Sequence, residues 1–411
     1  MTNYSKMIEL LSPAGNLTKL KYALHYGADA VYIGGKKFGL RQKADNFSPE
    51  QIKQAVEYTH HLNKKIYIAV NIYAHNQHLD EIKDFIKYLK MIKVDALIIS
   101  DPGVVTIARK YAEEIPMHLS TQANCTNYES VKFWQKNGLQ RIILARELSI
   151  AEIKEIRQKV PNIELEMFVH GAMCISYSGR CLLSNFLIQR NANLGDCAQP
   201  CRWKYSLVEE TRPGQFFPIL EDEYGTYILN SKDLCLINKI SEILESGIDS
   251  IKIEGRMKSL YYTANVTRIY RDAVNNYYKN QHNYQSKNIY LDELEKVSHR
   301  QYYEGFYNGR PDKNAQNYES SGYIRNYQFL GELIGKKHGF YQFNIRAKFS
   351  IGDTIEFISQ YLEDDFSWTV DKIYDEEQNE IEFTKPNTIA LLKLNRKLSP
   401  FTIIRKKIDK C

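Results

Sequence analysis

Residues 48–71, SPEQIKQAVEYTHHLNKKIYIAVN, decide the fold. Ser48 precedes Pro49 and Glu50, an order that opens helices. The hydroxyl accepts an unbonded amide, the proline has no amide to leave unpaired, and the acid meets the positive end of the helix dipole. After the helical pattern comes IYIAVN (66–71), an almost unbroken apolar run that closes on polar Asn71. Strands buried on both faces of a parallel sheet read this way.

The same alternation extends in both directions. Upstream lie IELLSPAG (8–15), the helical NLTKLKYALHYG and AVYIGG (30–35). Downstream lie ALIISD (96–101), MHLSTQ (117–122), RIILARE (141–147), LEMFVHG (165–171) and SIKIEG (250–255). SIAEIKEIRQKV, with Ser149 three positions before Glu152, is a further helix with a capping-box start. An open doubly wound sheet also alternates strand and helix. A count of eight favours a (β/α)8 TIM-like barrel. So do the polar strand ends, Asn71, Asp101, Gln122, Glu147, His170 and Glu254, which a barrel would gather on one rim.

The seventh and eighth strands are separated by residues 172–249, far longer than an ordinary connection. The expected organisation is a barrel domain over 1–310 containing this Cys-bearing insertion, a linker at 311–322, and short alternating strands over 323–411 that form a small C-terminal β-barrel. That last domain ends in a basic run, which is either a solvated edge or an RNA-docking surface. The chain has 411 residues and a net charge of +6, which permits a nucleic-acid partner without requiring one. Among its 30 tyrosines, Tyr261, Tyr262, Tyr270, Tyr277, Tyr278, Tyr302 and Tyr303 cluster late in the chain; they either stack on bases or pack at core edges. The start of the chain carries no secretory pattern and no run of about 18 apolar residues occurs, so the expectation is a cytoplasmic protein without a membrane span.

Cytosolic thiols stay reduced, so clustered cysteines point to metal or catalysis. Four of the seven fall in HGAMCISYSGRCLLSNFLIQRNANLGDCAQPCRW (170–203), spaced C-x6-C-x15-C-x3-C at Cys174, Cys181, Cys197 and Cys201. Paired C-x2-C zinc knuckles are absent. The wide spacing favours an iron–sulfur cluster, with zinc and unligated thiols left open. Cys235, at a predicted helix start, is a spare ligand; Cys125 and Cys411 read as ordinary thiols.

This segment resembles the signature of the collagenase-like U32 peptidase family. So do ELLSPAGN, ADAVYIGG, ILNSKDL and KIEGRMKS, in the same order along residues 8 to 310. Within the family the pattern is most similar to the branch that hydroxylates the tRNA anticodon wobble uridine to 5-hydroxyuridine without molecular oxygen. The resemblance implies a 4Fe–4S cluster on Cys174, Cys181, Cys197 and Cys201, with Cys201 or Cys235 as fourth ligand. It also implies prephenate as co-substrate, tRNA as partner, and a homologous partner protein or cluster-assembly machinery.

Arg41, Arg146, Arg180, Arg190, Arg202 and Arg256 crowd these motifs and suit a dicarboxylate or RNA phosphates. His170 is a candidate acid–base group or hydrogen-bonder at the rim. Lys232 with Asp233, and Lys252 with Glu254, are expected to complete a polar rim with Asn71 and Gln122. Lys252 and Glu254 share strand parity and would point the same way; a buried Lys–Glu pair there would be either structural or an acid–base pair. The competing readings are a peptidase, as the family name states, an rRNA hydroxylase, and a non-catalytic RNA-binding protein with a structural metal.

Overall fold

The computed structural model describes residues 7–39, 45–173, 177, 181–190, 192, 196–198, 200, 206–207, 217–218, 232–310 and 323–408. Strands and helices alternate through β1 (Glu9–Pro13), α1 (Leu17–His25), β2 (Ala30–Gly34), α2 (Pro49–His61), β3 (Lys65–Val70), α3 (Leu79–Met91) and β4 (Ala96–Ile99). They continue through α4 (Pro102–Tyr111), β5 (Met117–Leu119), α5 (Tyr128–Lys136), β6 (Arg141–Ile143), α6 (Ile150–Lys159) and β7 (Glu164–Ala172). The insertion contributes α7 (Leu183–Ile188), β8 (Ser206–Leu207), β9 (Phe217–Pro218) and β10 (Asp233–Cys235). Then come α8 (Ile240–Glu245), β11 (Ser250–Ile253), α9 (Leu260–Lys279), α10 (Asn288–Glu295) and β12 (Tyr302–Tyr303).

Strands β1 to β7 pair in sequence order, all parallel, and β11 pairs with both β7 and β1. The eight strands therefore close a parallel TIM-like barrel, and the Cys-bearing insertion leaves and re-enters it between the seventh and eighth. At the exit, β10 runs antiparallel against the end of β7, with β12 beside it. Cys235 thus lies on a strand rather than at a helix start, because its residues complete the backbone hydrogen bonds of an overlong β7. Ser48 caps α2 through a box with Gln51, and Ser149 caps α6 through one with Glu152. Tyr261, Tyr262, Tyr270 and Tyr277 are buried on α9, a 20-residue helix packed on the barrel, so these four pack rather than offer faces to bases. Among the described residues no helix is long and apolar enough to cross a membrane.

The C-terminal domain comprises β13 (Tyr327–Lys337), β14 (Phe340–Ile345), β15 (Thr354–Ile358), β16 (Phe366–Thr369), β17 (Ile373–Tyr374), β18 (Glu380–Ile381), β19 (Ile389–Leu392) and β20 (Ile403–Lys407). They pair antiparallel in the order β16-β15-β20-β13-β14-β19-β17-β18, a half-barrel around its own apolar core. Bulges in β13, opposite both β14 and β20, supply the curvature. This domain is seated on the barrel: the Tyr26 hydroxyl donates to the carbonyls of Phe401 at 3.0 Å and Ile358 at 3.2 Å. The expected 311–322 linker lies outside the described residues.

Candidate active site at the barrel mouth

The carboxyl ends of the barrel strands surround a small depression open to solvent. Asn71, Gln122, Arg146, Lys252, Glu254 and Arg256 all line it, together with Tyr32, Ser120 and Phe168. The fold therefore brings six of the residues singled out in the sequence to one place. Asn71 Nδ2 donates to Ser120 Oγ at 3.1 Å, and Arg146 Nη1 donates to the carbonyl of Ala172 at 2.6 Å with its guanidinium over the Phe168 ring. Arg256 is buried, with its guanidinium against Gly34: a Cβ there would lie 2.0 Å from Nη1. Its own carbonyl abuts Gly15, where a Cβ would lie 2.3 Å away. The glycines of SPAG and YIGG thus make room for the arginine of KIEGR, which is why these distant motifs belong together.

Lys252 does have a buried acidic partner, but it is not Glu254. Its Nζ lies 2.8 Å from Glu166 Oε1 on β7. Parity puts Glu254 on the same inward face, but Glu254 sits further out among the residues of the mouth. The other oxygen of Glu166 takes Arg141 Nη1 at 3.0 Å, and Arg141 also grips Glu9, which accepts from the Tyr67 hydroxyl at 2.6 Å. Arg141 also holds Glu164 at 2.7 Å, so Glu9, Glu164 and Glu166 with Arg141 and Lys252 form one ionic network in which the buried charges compensate one another. Burial pushes the Glu9 carboxyl up, but Arg141 outweighs it and holds the group below the usual range. Glu166, Arg141 and Glu9 escaped the sequence reading. The available signal was a charge at an inward-facing position of an apolar strand, as with Glu166 two residues before Phe168 in LEMFVHG.

His170 is not a rim residue. Between Lys252 and Ile253 the register jumps from Phe168 to His170, a bulge at Val169 that reverses side-chain parity along β7. The imidazole points away from the mouth into the rings of Tyr262, Tyr270 and Tyr302, at centroid distances of 5.9, 5.6 and 5.2 Å. Burial, with Lys258 and His299 nearby, lowers its pKa to about 3, so it is neutral. Lys232 and Asp233 also lie off the mouth. Asp233 is buried on β10, accepting from the Arg300 amide at 3.1 Å and 3.9 Å from Lys258 Nζ. Arg190 pairs with Asp196 at 2.9 Å within the insertion. Arg41, Arg180 and Arg202 lie outside the described residues.

Of the four sulfur candidates, Cys174 and Cys201 also lie outside the described residues. Cys181 and Cys197 are both half-buried. The segments that carry them are tied together: the Ala198 amide donates to Ser184 Oγ at 3.1 Å, and Arg190 pairs with Asp196 at 2.9 Å. Two thiols on adjoining, pinned segments fit two ligands of one soft-metal group. Among the described residues no cluster of three His, Cys, Asp or Glu is placed to hold a metal. Cys235 is buried against Tyr270, and burial pushes its thiol up to about 12.

The mouth of this closed parallel barrel thus gathers Arg146, Lys252 and Arg256 with the acid Glu254, and a cysteine-bearing segment is inserted after the strand that ends there. The sequence model of peptidase family U32 matches residues 15–317, and that of the family's C-terminal domain matches residues 325–405. The chain belongs to peptidase family U32. It is 40% identical over 405 residues to the tRNA hydroxylation protein P1 of Bacillus subtilis (strain 168), covering 98% of this chain and 95% of that one. It is 40% identical over 395 residues to the tRNA hydroxylation protein P of Escherichia coli (strain K12), covering 85% and 86%. The 23S rRNA 5-hydroxycytidine C2501 synthase of Escherichia coli (strain K12) is 36% identical over 274 residues, covering 67% of this chain and 40% of that one.

Proposed function

We propose that this chain is an RNA-modifying enzyme of the cytoplasm that hydroxylates the anticodon wobble uridine of tRNA to 5-hydroxyuridine without molecular oxygen. It would use a 4Fe–4S cluster on Cys174, Cys181, Cys197 and Cys201, with prephenate as co-substrate. The reading is carried by the near full-length similarity to a protein named for tRNA hydroxylation, 40% identity over 405 residues. The mouth supports it chemically. Arg146 and Arg256 suit carboxylate or phosphate, and Asn71 and Gln122 offer amides that can pair with the edge of a base. When bound, the cluster would supply electron transfer or a Lewis-acidic iron. The chain's own residues bind and orient: the arginines hold the anion, Glu166 fixes Lys252, and Phe168 and Tyr32 wall the site.

The peptidase reading has less support here. A hydroxyl nucleophile needs an adjacent base, and His170, the histidine expected at this rim, faces away into a tyrosine box. The test is nucleoside mass spectrometry of tRNA and 23S rRNA from a strain lacking this gene, with and without its restoration and that of any homologous partner. Loss of 5-hydroxyuridine and its derivatives from tRNA is expected. A change confined to rRNA would shift the substrate to rRNA, and no change in either RNA would remove hydroxylation.

A further inference from the structure

Lys252 is an unusual lysine for a binding site that needs only positive charge. Its Nζ is buried at the floor of the mouth, 4.4 Å from the centroid of the Tyr32 ring and 5.4 Å from that of Phe168. Its acidic partner, Glu166, is fully buried and shared with Arg141, so the carboxylate is divided between two cations. Arg146 and Arg256 add two guanidiniums around the same opening. A desolvated amine next to other cations is the arrangement that turns lysine into a nucleophile toward carbonyl carbon.

We infer that Lys252 forms a Schiff base with a small α-keto acid bound in the barrel mouth, Glu166 carrying the protons and Arg146 and Arg256 holding the carboxylate. The ligand class follows from the lining. A carbonyl must face Nζ, a carboxylate next to it must meet the guanidiniums, and the rest of the molecule must tolerate Phe168 and Ile143. Burial lowers the ammonium's pKa, and although Glu166 pulls the other way, Arg141 and Arg256 lower it further. In the step, Lys252 Nζ passes one proton to Glu166 and its lone pair attacks the carbonyl carbon. The C–N bond forms and the carbonyl oxygen takes the proton back from Glu166. The resulting carbinolamine loses that oxygen as water, leaving a protonated imine. No oxidant or reductant is consumed. The assignment stands whether or not the chain modifies RNA.

The test is to incubate the whole purified chain with pyruvate or phenylpyruvate, add borohydride, and map the peptides by mass spectrometry. One reduced adduct on Lys252 is expected, absent without the keto acid and lost in Lys252→Arg, which keeps the cation. A Glu166→Gln chain should form it more slowly. No adduct, or adducts on surface lysines with Lys252 untouched, overturns the assignment. An adduct formed equally fast in Glu166→Gln overturns the role of Glu166. The wild-type peptide map decides the first point even if the variants fail to fold. Because trapping uses neither tRNA nor the cluster, its failure is distinct from a failure of RNA hydroxylation.

Discussion

Arg405, on the last strand of the C-terminal domain, makes a two-pronged bond to Glu293 on α10 of the barrel domain, 2.8 Å from each nitrogen to its own carboxylate oxygen. Glu293 also takes Arg268 Nη2 at 2.7 Å, and Arg268 reaches across to Asp365 at 2.8 Å. All three side chains at the centre are buried, so an ionic cluster lies inside the joint between the domains, beside apolar contacts from Ile358 and Ile403. Burial pushes the Glu293 carboxyl up, but Arg405, Arg268 and Lys296 outweigh it and hold the group well below the usual range. Removing the acid leaves Arg268 with Asp365 alone and Arg405 with Glu356 alone in a buried cluster, a loss of at most about 3–5 kcal/mol. Glu293→Gln should therefore unfold in distinctly less denaturant than wild type. A carboxyl depressed in the folded state stabilises fully above its unfolded pKa and loses that contribution progressively as pH falls from there to its folded value. The wild-type joint should survive mild acid. Equal stability of the two chains at neutral pH would show the ionic joint to be dispensable.

The contact between Gly34 and Arg256 separates site from scaffold. In Gly34→Ala the new Cβ meets the tip of a side chain, Nη1, which can swing away. In Gly15→Ala it meets the Arg256 carbonyl, which moves only with the backbone. Gly34→Ala should keep its melting temperature while kcat/KM for hydroxylation falls on the order of a hundredfold, the usual effect of misplacing a binding group by about an ångström. Gly15→Ala should lose stability first. Parallel melting curves and kinetics on the two variants check this; a Gly34→Ala enzyme with full activity would remove Arg256 from the site.

His170 makes a pH prediction. It is neutral in the fold, with a pKa near 3 against an ordinary 6.5. Between those values the unfolded chain binds a proton that the folded chain does not, so stability falls as pH drops below about 6.5, by at most about 1.4 kcal/mol per pH unit. His118 and His299 are also lowered by burial and act in the same direction. His170→Phe fills the tyrosine box with another ring and should flatten part of this slope while leaving hydroxylation at neutral pH intact. Denaturation at pH 7 and pH 5 checks the first expectation; a large loss of activity at pH 7 would return His170 to the chemistry.

The barrel was legible because strands such as IYIAVN and ALIISD are buried on both faces and so read as continuous apolar runs. Asn71, Gln122, Arg146, Glu254 and Arg256 could be placed on one rim for the same reason: strand ends in a barrel share an edge. The position of His170 was not legible. A single extra residue at Val169 reverses parity, and no residue type announces a bulge there. The partner of Lys252 was hidden differently, since Glu166 lies 86 positions away in sequence and meets it only because the barrel closes. The tyrosines of α9 could have been a stacking surface or packing until the helix was seen to lie against the barrel.

The cysteines can be sorted by environment. Cys181 and Cys197 sit half-buried on segments pinned to one another, whereas Cys125 and Cys235 are core residues whose thiols burial pushes up to about 12. Thiolates bind metal and protonated core thiols do not. Anaerobically purified chain should therefore contain iron and sulfide that are lost in Cys181→Ala and in Cys197→Ala. Cys125→Ala and Cys235→Ala should keep both, at the cost of a small cavity. Iron and sulfide analysis with visible absorption spectra on the four variants decides it. Should Cys235→Ala lose its iron as fully as Cys181→Ala, then β10 supplies a ligand, and the strand would have to open from Tyr270 to do so. If wild type binds no iron under these conditions, the cluster is removed from the proposed reaction, and the cationic mouth is left as the part of the site that any alternative must use.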